Sequence, residues 1–139
     1  MIKNFSIFSS HFFKSFSFLR SSSAIEIEFG SFITQTTEYI NTHLQENLNI
    51  ASICATFHVS KNYLYEAFRS TFNCTVNEYI SSQRLKQATS LLEETEEPIY
   101  RIAEMVGIDN YTYFCKLFKR KMGISPTEYR KTIQNEKGF

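Results

Sequence analysis

The chain matches itself at an offset of 50 residues, and this repeat constrains its fold more than any other feature of the 139 residues. Leu64, Phe68, Arg69, Asn73, Thr75, Glu78 and Tyr79 find counterparts in Phe114, Phe118, Lys119, Gly123, Ser125, Glu128 and Tyr129. Each set has the same internal order. Two apolar residues four apart share one side of a helix. Asn or Gly then ends it, because both tolerate the left-handed backbone common at helix termini. A Thr-x-x-Glu or Ser-x-x-Glu box opens the next helix, hydroxyl and carboxylate each taking an orphan amide. The repeated object is helix, turn, helix, cap, helix. Two copies are too few for a solenoid, which needs three or more to bury a continuous core.

Periodicity fills in the rest, and with only 4 Gly and 2 Pro there is little to interrupt it. Phe32, Ile33, Thr36, Tyr39, Ile40 and Leu44 recur with a 3.6-residue period, which predicts a helix starting after Gly30 and ending near Glu46 or Asn47. The apolar segment from Ile50 to Ala55 follows, then Ser60 as N-cap of a helix over 61–72. A long helix is expected from 75 or 76, with Val76, Tyr79, Ile80, Leu85, Ala88, Leu91 and Leu92 on its buried side. It should stop before the acidic run Glu93, Glu94, Glu96 and Glu97. Pro98 is expected in the first turn of a helix that buries Ile99, Ile102, Ala103 and Val106 and ends at Gly107. A helix over 110–122 closes at Gly123, and Ser125-Pro126-Thr127-Glu128 starts a final short one.

The expected organisation is a poorly ordered Ser/Phe-rich arm over 1–30, a domain over 31–135 and a tail over 136–139. Within the domain, the first helix-turn-helix spans about 50–72, the linker helix 75–93 and the second helix-turn-helix about 98–122. Length allows one domain that buries its own core. The arm carries Lys3, Lys14 and Arg20 with no acid before Glu26, but Ser, His11 and Lys14 break its apolar stretch and no small-residue cleavage site follows. A start-site artefact or the remnant of a lost upstream domain are the other readings of it.

Several function classes find no support. Cys54, Cys74 and Cys115 are odd in number and form no CxxC or Cys/His pattern, so neither a disulfide framework nor a zinc site is signalled. His43 and His58 read as solvent-facing. No run of 18 apolar residues occurs, so no membrane span is expected. No nucleophile has a partnered base, and no Gly-rich phosphate loop is present, so neither catalysis nor a cofactor or metal is expected. A net charge of +1 points nowhere by itself. A claim of nucleic-acid binding must rest on where the charges sit.

In a helix-turn-helix the second helix lies in the major groove while its other side packs on the domain. If Leu64 and Phe68 point inward on the helix from 61, then Asn62, Tyr65, Glu66 and Arg69 point outward. If Phe114 and Phe118 point inward on the later helix, Thr112, Cys115, Lys116 and Lys119 point outward with Tyr111 at the edge. Such side chains read bases or grip phosphates. Lys116, Lys119, Arg120 and Lys121 cluster on or beside that helix, remote from the acidic run, and this segregation orients a module on a polyanion even at neutral net charge. Tyr63, Tyr79, Tyr113 and Tyr129 are read as packing residues. Cys115 reads as a small groove-facing side chain rather than a reactive sensor.

The run Ile99 to Ile108, then Tyr113-Phe114 and Phe118-Lys119, then Gly123-Ile124-Ser125-Pro126 and Tyr129-Arg130, resembles the signature of AraC/XylS-type bacterial transcription regulators. Ser60, Leu64, Phe68-Arg69 and Tyr79 in the first unit and Arg84-Leu85, Ala88 and Leu91-Leu92 in the linker match as well. The resemblance spans about 50–130. It implies an all-α, seven-helix, homeodomain-like double helix-turn-helix domain, its recognition helices set about one DNA turn apart by the long linker helix.

By position it implies that Asn62, Tyr65, Glu66, Tyr111, Thr112, Cys115 and Lys116 face bases. Ser60, Arg69, Asn110, Lys119 and Arg120 would touch phosphates. Double-stranded DNA and RNA polymerase are the implied partners, activation of transcription the implied outcome, and the bacterial cytoplasm, at the nucleoid, the place. Oligomeric state stays open, since family members bind as monomers or dimers. Three departures stand out. His58 occupies a turn where Gly is usual, Ile108 replaces a Phe, and Glu66 stands where a basic residue is common, which favours weak binding or a preference for cytosine. Many members carry an upstream ligand-sensing domain, for which 139 residues leave no room, so a surviving C-terminal fragment of a longer regulator is a further reading. A degenerate member that binds another protein without reading DNA is the competing function.

Overall fold

The computed structural model describes residues 22–138. Among them are seven helices and no strand: α1 (Ser22–Thr42), α2 (Ile50–Phe57), α3 (Lys61–Phe72), α4 (Val76–Glu94), α5 (Ile99–Met105), α6 (Tyr111–Met122) and α7 (Pro126–Glu136). They form two compact units. The first extends to His43 and takes in Leu48–Ile80; the second comprises Leu44–Asn47 and the chain from Ser81 onward.

In the first unit, α1 begins at Ser22 and carries Gly30 within it, so the expected arm over 1–30 is corrected for 22–30. The remainder of that arm, 1–21, lies outside the described residues. Ile25, Phe29 and Ile33 follow one another at four-residue intervals, and Phe29, 1% exposed, joins Ile33 and Ala67 in a buried cluster. Burying such a ring contributes about 1.5–3 kcal/mol, more than the roughly 1 kcal/mol that a glycine costs inside a helix. Phe32, Tyr63 and Phe72 pack against the cluster. Phe68 meets Tyr79 edge-on at 5.3 Å and 76°.

The second unit has a larger core. Leu85, Ala88 and Leu92 of α4 meet Ile102, Ala103, Val106, Ile108, Phe114, Leu117 and Phe118. Phe118 meets Tyr129 at 5.5 Å and 76°, so the repeat seen along the chain recurs in ring geometry. The Tyr129 hydroxyl donates to Glu93 Oε1 at 2.7 Å, and this bond, ahead of burial, pushes its pKa up to about 12.

α1 stops at Thr42, short of the expected 46 or 47, and the residues that follow, Leu44–Asn47, belong to the second unit. Leu44 is buried there, and Arg84 donates from Nε to Leu44 O at 3.0 Å and from Nη2 to Glu46 O at 2.9 Å. Two backbone carbonyls of this irregular stretch thus gain a charged donor. Burial lowers the Arg84 pKa, while Asp109 and Tyr113 act the other way.

Each helix-turn-helix turn contains one left-handed residue. His58 (φ 53°, ψ 44°) follows α2, and Gly107 (φ 87°) follows the last turn of α5. The next amide closes the same bond in both, Val59 N–H to Cys54 O and Ile108 N–H to Ala103 O. The N-cap of the following helix comes two residues after His58, at Ser60, but three after Gly107, at Asn110. The repeat offset is therefore 49 before the turn and 50 after it. Pro98 stands at the N-cap of α5 rather than within its first turn, a position its fixed φ also suits. Both capping boxes form. Thr75 N–H donates to Glu78 Oε2 and Ser125 N–H to Glu128 Oε2, each at 2.8 Å.

Candidate nucleic-acid interface

α3 starts at a Ser60 N-cap whose hydroxyl oxygen accepts from Tyr63 N–H at 3.1 Å. Leu64, Ala67 and Phe68 are fully buried, which leaves Asn62, Tyr65, Glu66 and Arg69 exposed together on the other side. The packing demand of the inner face alone orients these four. Lys61, the first helical residue, is exposed beside them. It was not among the candidates, although its place next to the cap could have pointed to it.

α6 repeats the pattern. Asn110 Oδ1 accepts from Tyr113 N–H at 2.8 Å, and Phe114, Leu117 and Phe118 are buried. Tyr111, Thr112, Lys116, Lys119 and Arg120 are exposed. In both helices the cap engages only the third amide, so the first two amides still point out of the helix end, where backbone N–H groups and the helix dipole favour an anion. Capping also divides the labour of the cap residues. Ser60 keeps its hydroxyl hydrogen and Asn110 its amide hydrogens, and these are the atoms each can still donate to a phosphate.

Four side chains depart from the sequence reading. Cys115 is half-buried and packs against the core of its unit. The Tyr111 hydroxyl is hydrogen-bonded to it, which with partial burial raises the Tyr111 pKa. Cys115 precedes buried Phe118 by three residues, so it sits on the border of the outer face rather than at its centre. Tyr113, read as a packing residue, is 50% exposed. Lys121 follows buried Leu117 by four residues and lines a groove against α4 with Ser82, Leu85 and Lys86, away from Lys116. Tyr63, Tyr79 and Tyr129 are half-buried as expected, and burial raises the pKa of Tyr63 and Tyr79. His43, expected toward solvent, is half-buried and stacked on Tyr39 at 4.1 Å.

The two outer faces differ in charge. α3 presents Lys61 and Arg69 with Glu66 between them, whereas α6 presents Lys116, Lys119 and Arg120 with no acid. Among the described residues, no group of three His, Cys, Asp or Glu side chains could hold a metal ion, and no helix is long and apolar enough to cross a membrane.

A family model described as a helix-turn-helix domain matches residues 53–132. The Msm operon regulatory protein of Streptococcus mutans is 33% identical over 105 residues, which is 76% of this chain and 38% of that protein. The chain spans between about a third and a half of the length of the curated relatives it matches. Among solved structures, the C-terminal domain of AraT, a response regulator from Geobacillus stearothermophilus, superposes with a TM-score of 0.70 at 33% identity, covering 73% of this chain and 84% of that one. The DNA-binding domain of AdpA, a global transcriptional factor solved with a target DNA, shares the fold with a TM-score of 0.71 at 23% identity, covering 74% of this chain and 93% of that one. With more than half its length matched and two capped, outward-facing second helices in place, the chain belongs to the AraC/XylS-type family of helix-turn-helix DNA-binding domains.

Proposed function

We propose that the chain binds double-stranded DNA as the reading part of a bacterial transcription regulator, with α3 and α6 each entering a major groove. The observation that carries this reading is the duplicated helix whose apolar side is sunk in its own unit while its polar side and free amides face outward. The operon-regulator name of the Streptococcus mutans relative and the DNA bound to AdpA support it. Asn62, Tyr65 and Glu66 in α3 and Tyr111, Thr112 and Lys116 in α6 would face bases. Cys115 would contribute from the edge, through a methyl-sized apolar surface. Ser60, Arg69, Asn110, Lys119 and Arg120 would hold phosphates. Activation through RNA polymerase, at the nucleoid, is the outcome the family resemblance implies.

The test is a gel-shift titration against genomic fragments at two salt concentrations, followed by selection of the preferred site. Specific retardation that weakens with salt is expected. Lys116→Ala should then cost about 1–3 kcal/mol on the preferred site and relax the preference at one position. Lys119→Ala should weaken all sequences alike and shallow the salt slope by about one charge. Equal loss on every sequence for Lys116→Ala would move Lys116 to the phosphate contacts. Absence of any specific shift would sink the reading.

A further inference from the structure

The second unit carries two surfaces of opposite sign that neither its core nor its outward α6 face employs. One is a groove of about 340 Å³ between α4 and the end of α6. It is lined by the apolar Leu85 and Met122, by Ser82 and Thr89, and by Lys86 and Lys121. Met122 is 41% exposed. It follows buried Phe118 by four residues, as Lys121 follows Leu117, so the groove opens on the packing side of α6 and stays accessible when the outward face is on DNA. Neither lysine makes an ion pair with any described residue.

The other surface is the turn from α4 to α5. Glu94, Glu96 and Glu97 are exposed and form no ion pair among the described residues, and Tyr100, 53% exposed, follows within the first turn of α5. This turn is pinned from behind. Lys137 Nζ donates to Glu93 O at 2.8 Å, Thr95 Oγ1 to Leu91 O at 2.7 Å, and Arg130 reaches Thr95 O. An acidic, aromatic-tipped segment is therefore held in one conformation, which lowers the entropic cost of docking it. Lys86 and Glu94 stand eight residues apart on α4, about 12 Å along one straight helix, so the two surfaces are not free to close on each other within one copy.

We propose that they close between copies: the Glu94–Tyr100 turn of one chain docks in the Lys86–Lys121 groove of a second, Tyr100 over Leu85 and Met122 and the glutamates on the two ammonium groups. Made once per pair of copies, a contact of two different surfaces is head-to-tail and can propagate along a row of copies. The patch is smaller than a standard stable interface. It is weak in free solution and takes effect when neighbouring DNA sites raise the local concentration of the second copy. Apolar Leu85 and Met122 beside the lysines are of no use to a phosphate, which is why a protein surface fits the groove better than DNA.

Sedimentation equilibrium on the full chain without DNA tests the contact independently of the DNA-reading proposal. The expected result is a weight-average mass that rises with protein concentration at low salt and falls back at high salt. Lys86→Glu with Lys121→Glu should weaken the association about tenfold or more. Adding Glu94→Lys and Glu96→Lys to the same chain should restore it, since the reversed groove then meets a reversed turn. Far-UV circular dichroism of each variant checks that the helices persist. A mass that stays monomeric at every concentration overturns the proposal. So does a rise indifferent to both reversals, which would place the association elsewhere. Loss of DNA retardation in Lys86→Glu/Lys121→Glu with no change in mass would make the groove a phosphate contact instead.

Discussion

His58 and Gly107 do the same thing to the backbone in the two turns, with φ of 53° and 87°, yet only one of the positions carries a side chain. His58 is exposed, and its imidazole projects where there is space. Gly107 passes against the Leu44 carbonyl, where an added Cβ would overlap the oxygen and press on Arg84 Nε. Left-handed geometry alone costs an L-residue about 1–2 kcal/mol, which a stable turn can absorb. The demand that removes every side chain from the second turn is the carbonyl brought there by Leu44 and fixed by Arg84. A turn is thus set by what runs past it as much as by its own dihedrals.

The largest test of this contrast is Gly107→Ala. Left-handed strain of about 1–2 kcal/mol adds to an overpacking cost of about 1–3 kcal/mol against backbone that cannot swing away. A loss of about 2–5 kcal/mol is expected, concentrated in the second unit. Residue-resolved hydrogen exchange should show amides of α5 and α6 losing protection before those of α2 and α3. Gly123→Ala, left-handed at φ 85° with nothing near its Cβ, is the control and should lose only the first of the two costs. Equal losses at the two glycines would remove the distinction between strain and crowding.

The same pair of units differs on the outward faces, and here the expected effect is smaller. Glu66 sits between Lys61 and Arg69 on α3, whereas α6 carries no acid. Glu66→Gln removes one negative charge from a surface proposed to approach phosphates. It should tighten non-specific DNA binding about three- to fivefold, as expected of a partly screened charge, and steepen the salt slope. If Glu66 instead accepts from a cytosine amino group, the preferred site loses affinity while random DNA gains. A titration of both DNAs separates these outcomes, and no change on either would take Glu66 off the interface.

Much of this architecture was legible because its signals are local. Ser60, Ser125 and the two boxes fix helix starts within a residue, and Leu64 and Phe114 assign the inner faces. What escaped depends on partners distant in sequence. Gly30 reads as a breaker until Phe29 finds Ala67. The placing of Leu44–Asn47 outside a helix goes with Arg84, forty residues on, taking Leu44 O. Lys121 joins the basic cluster along the chain, but its helical phase is that of Leu117, toward the groove against α4. The His58 departure was visible, though not that it is tolerated. His58→Gly should therefore change stability by less than about 1 kcal/mol, relief of left-handed strain being offset by the freer unfolded chain. A gain much beyond that in a urea titration would mean the imidazole is crowded after all.

The smallest effect concerns the capping boxes, which match in geometry between the units. Glu128 accepts from the Ser125 backbone N–H at 2.8 Å, and this bond, followed by the Ser125 hydroxyl, holds its carboxyl below the ordinary carboxylate value. A carboxylate lowered in the folded state contributes stability that is present above its unfolded pKa and is lost as pH falls through the folded one. The chain should therefore weaken on the acid side of the normal glutamate range, by a modest amount because the group is on the surface. Glu128→Gln keeps a side-chain acceptor for the Ser125 amide but removes the titration, so its stability should flatten across that window. Carbon-detected NMR titration of Glu128 reads the shift directly, and amide exchange at the start of α7 reports whether the helix frays as the proton arrives. A Glu128 that titrates at or above the ordinary value would show the box to be a geometry without thermodynamic weight.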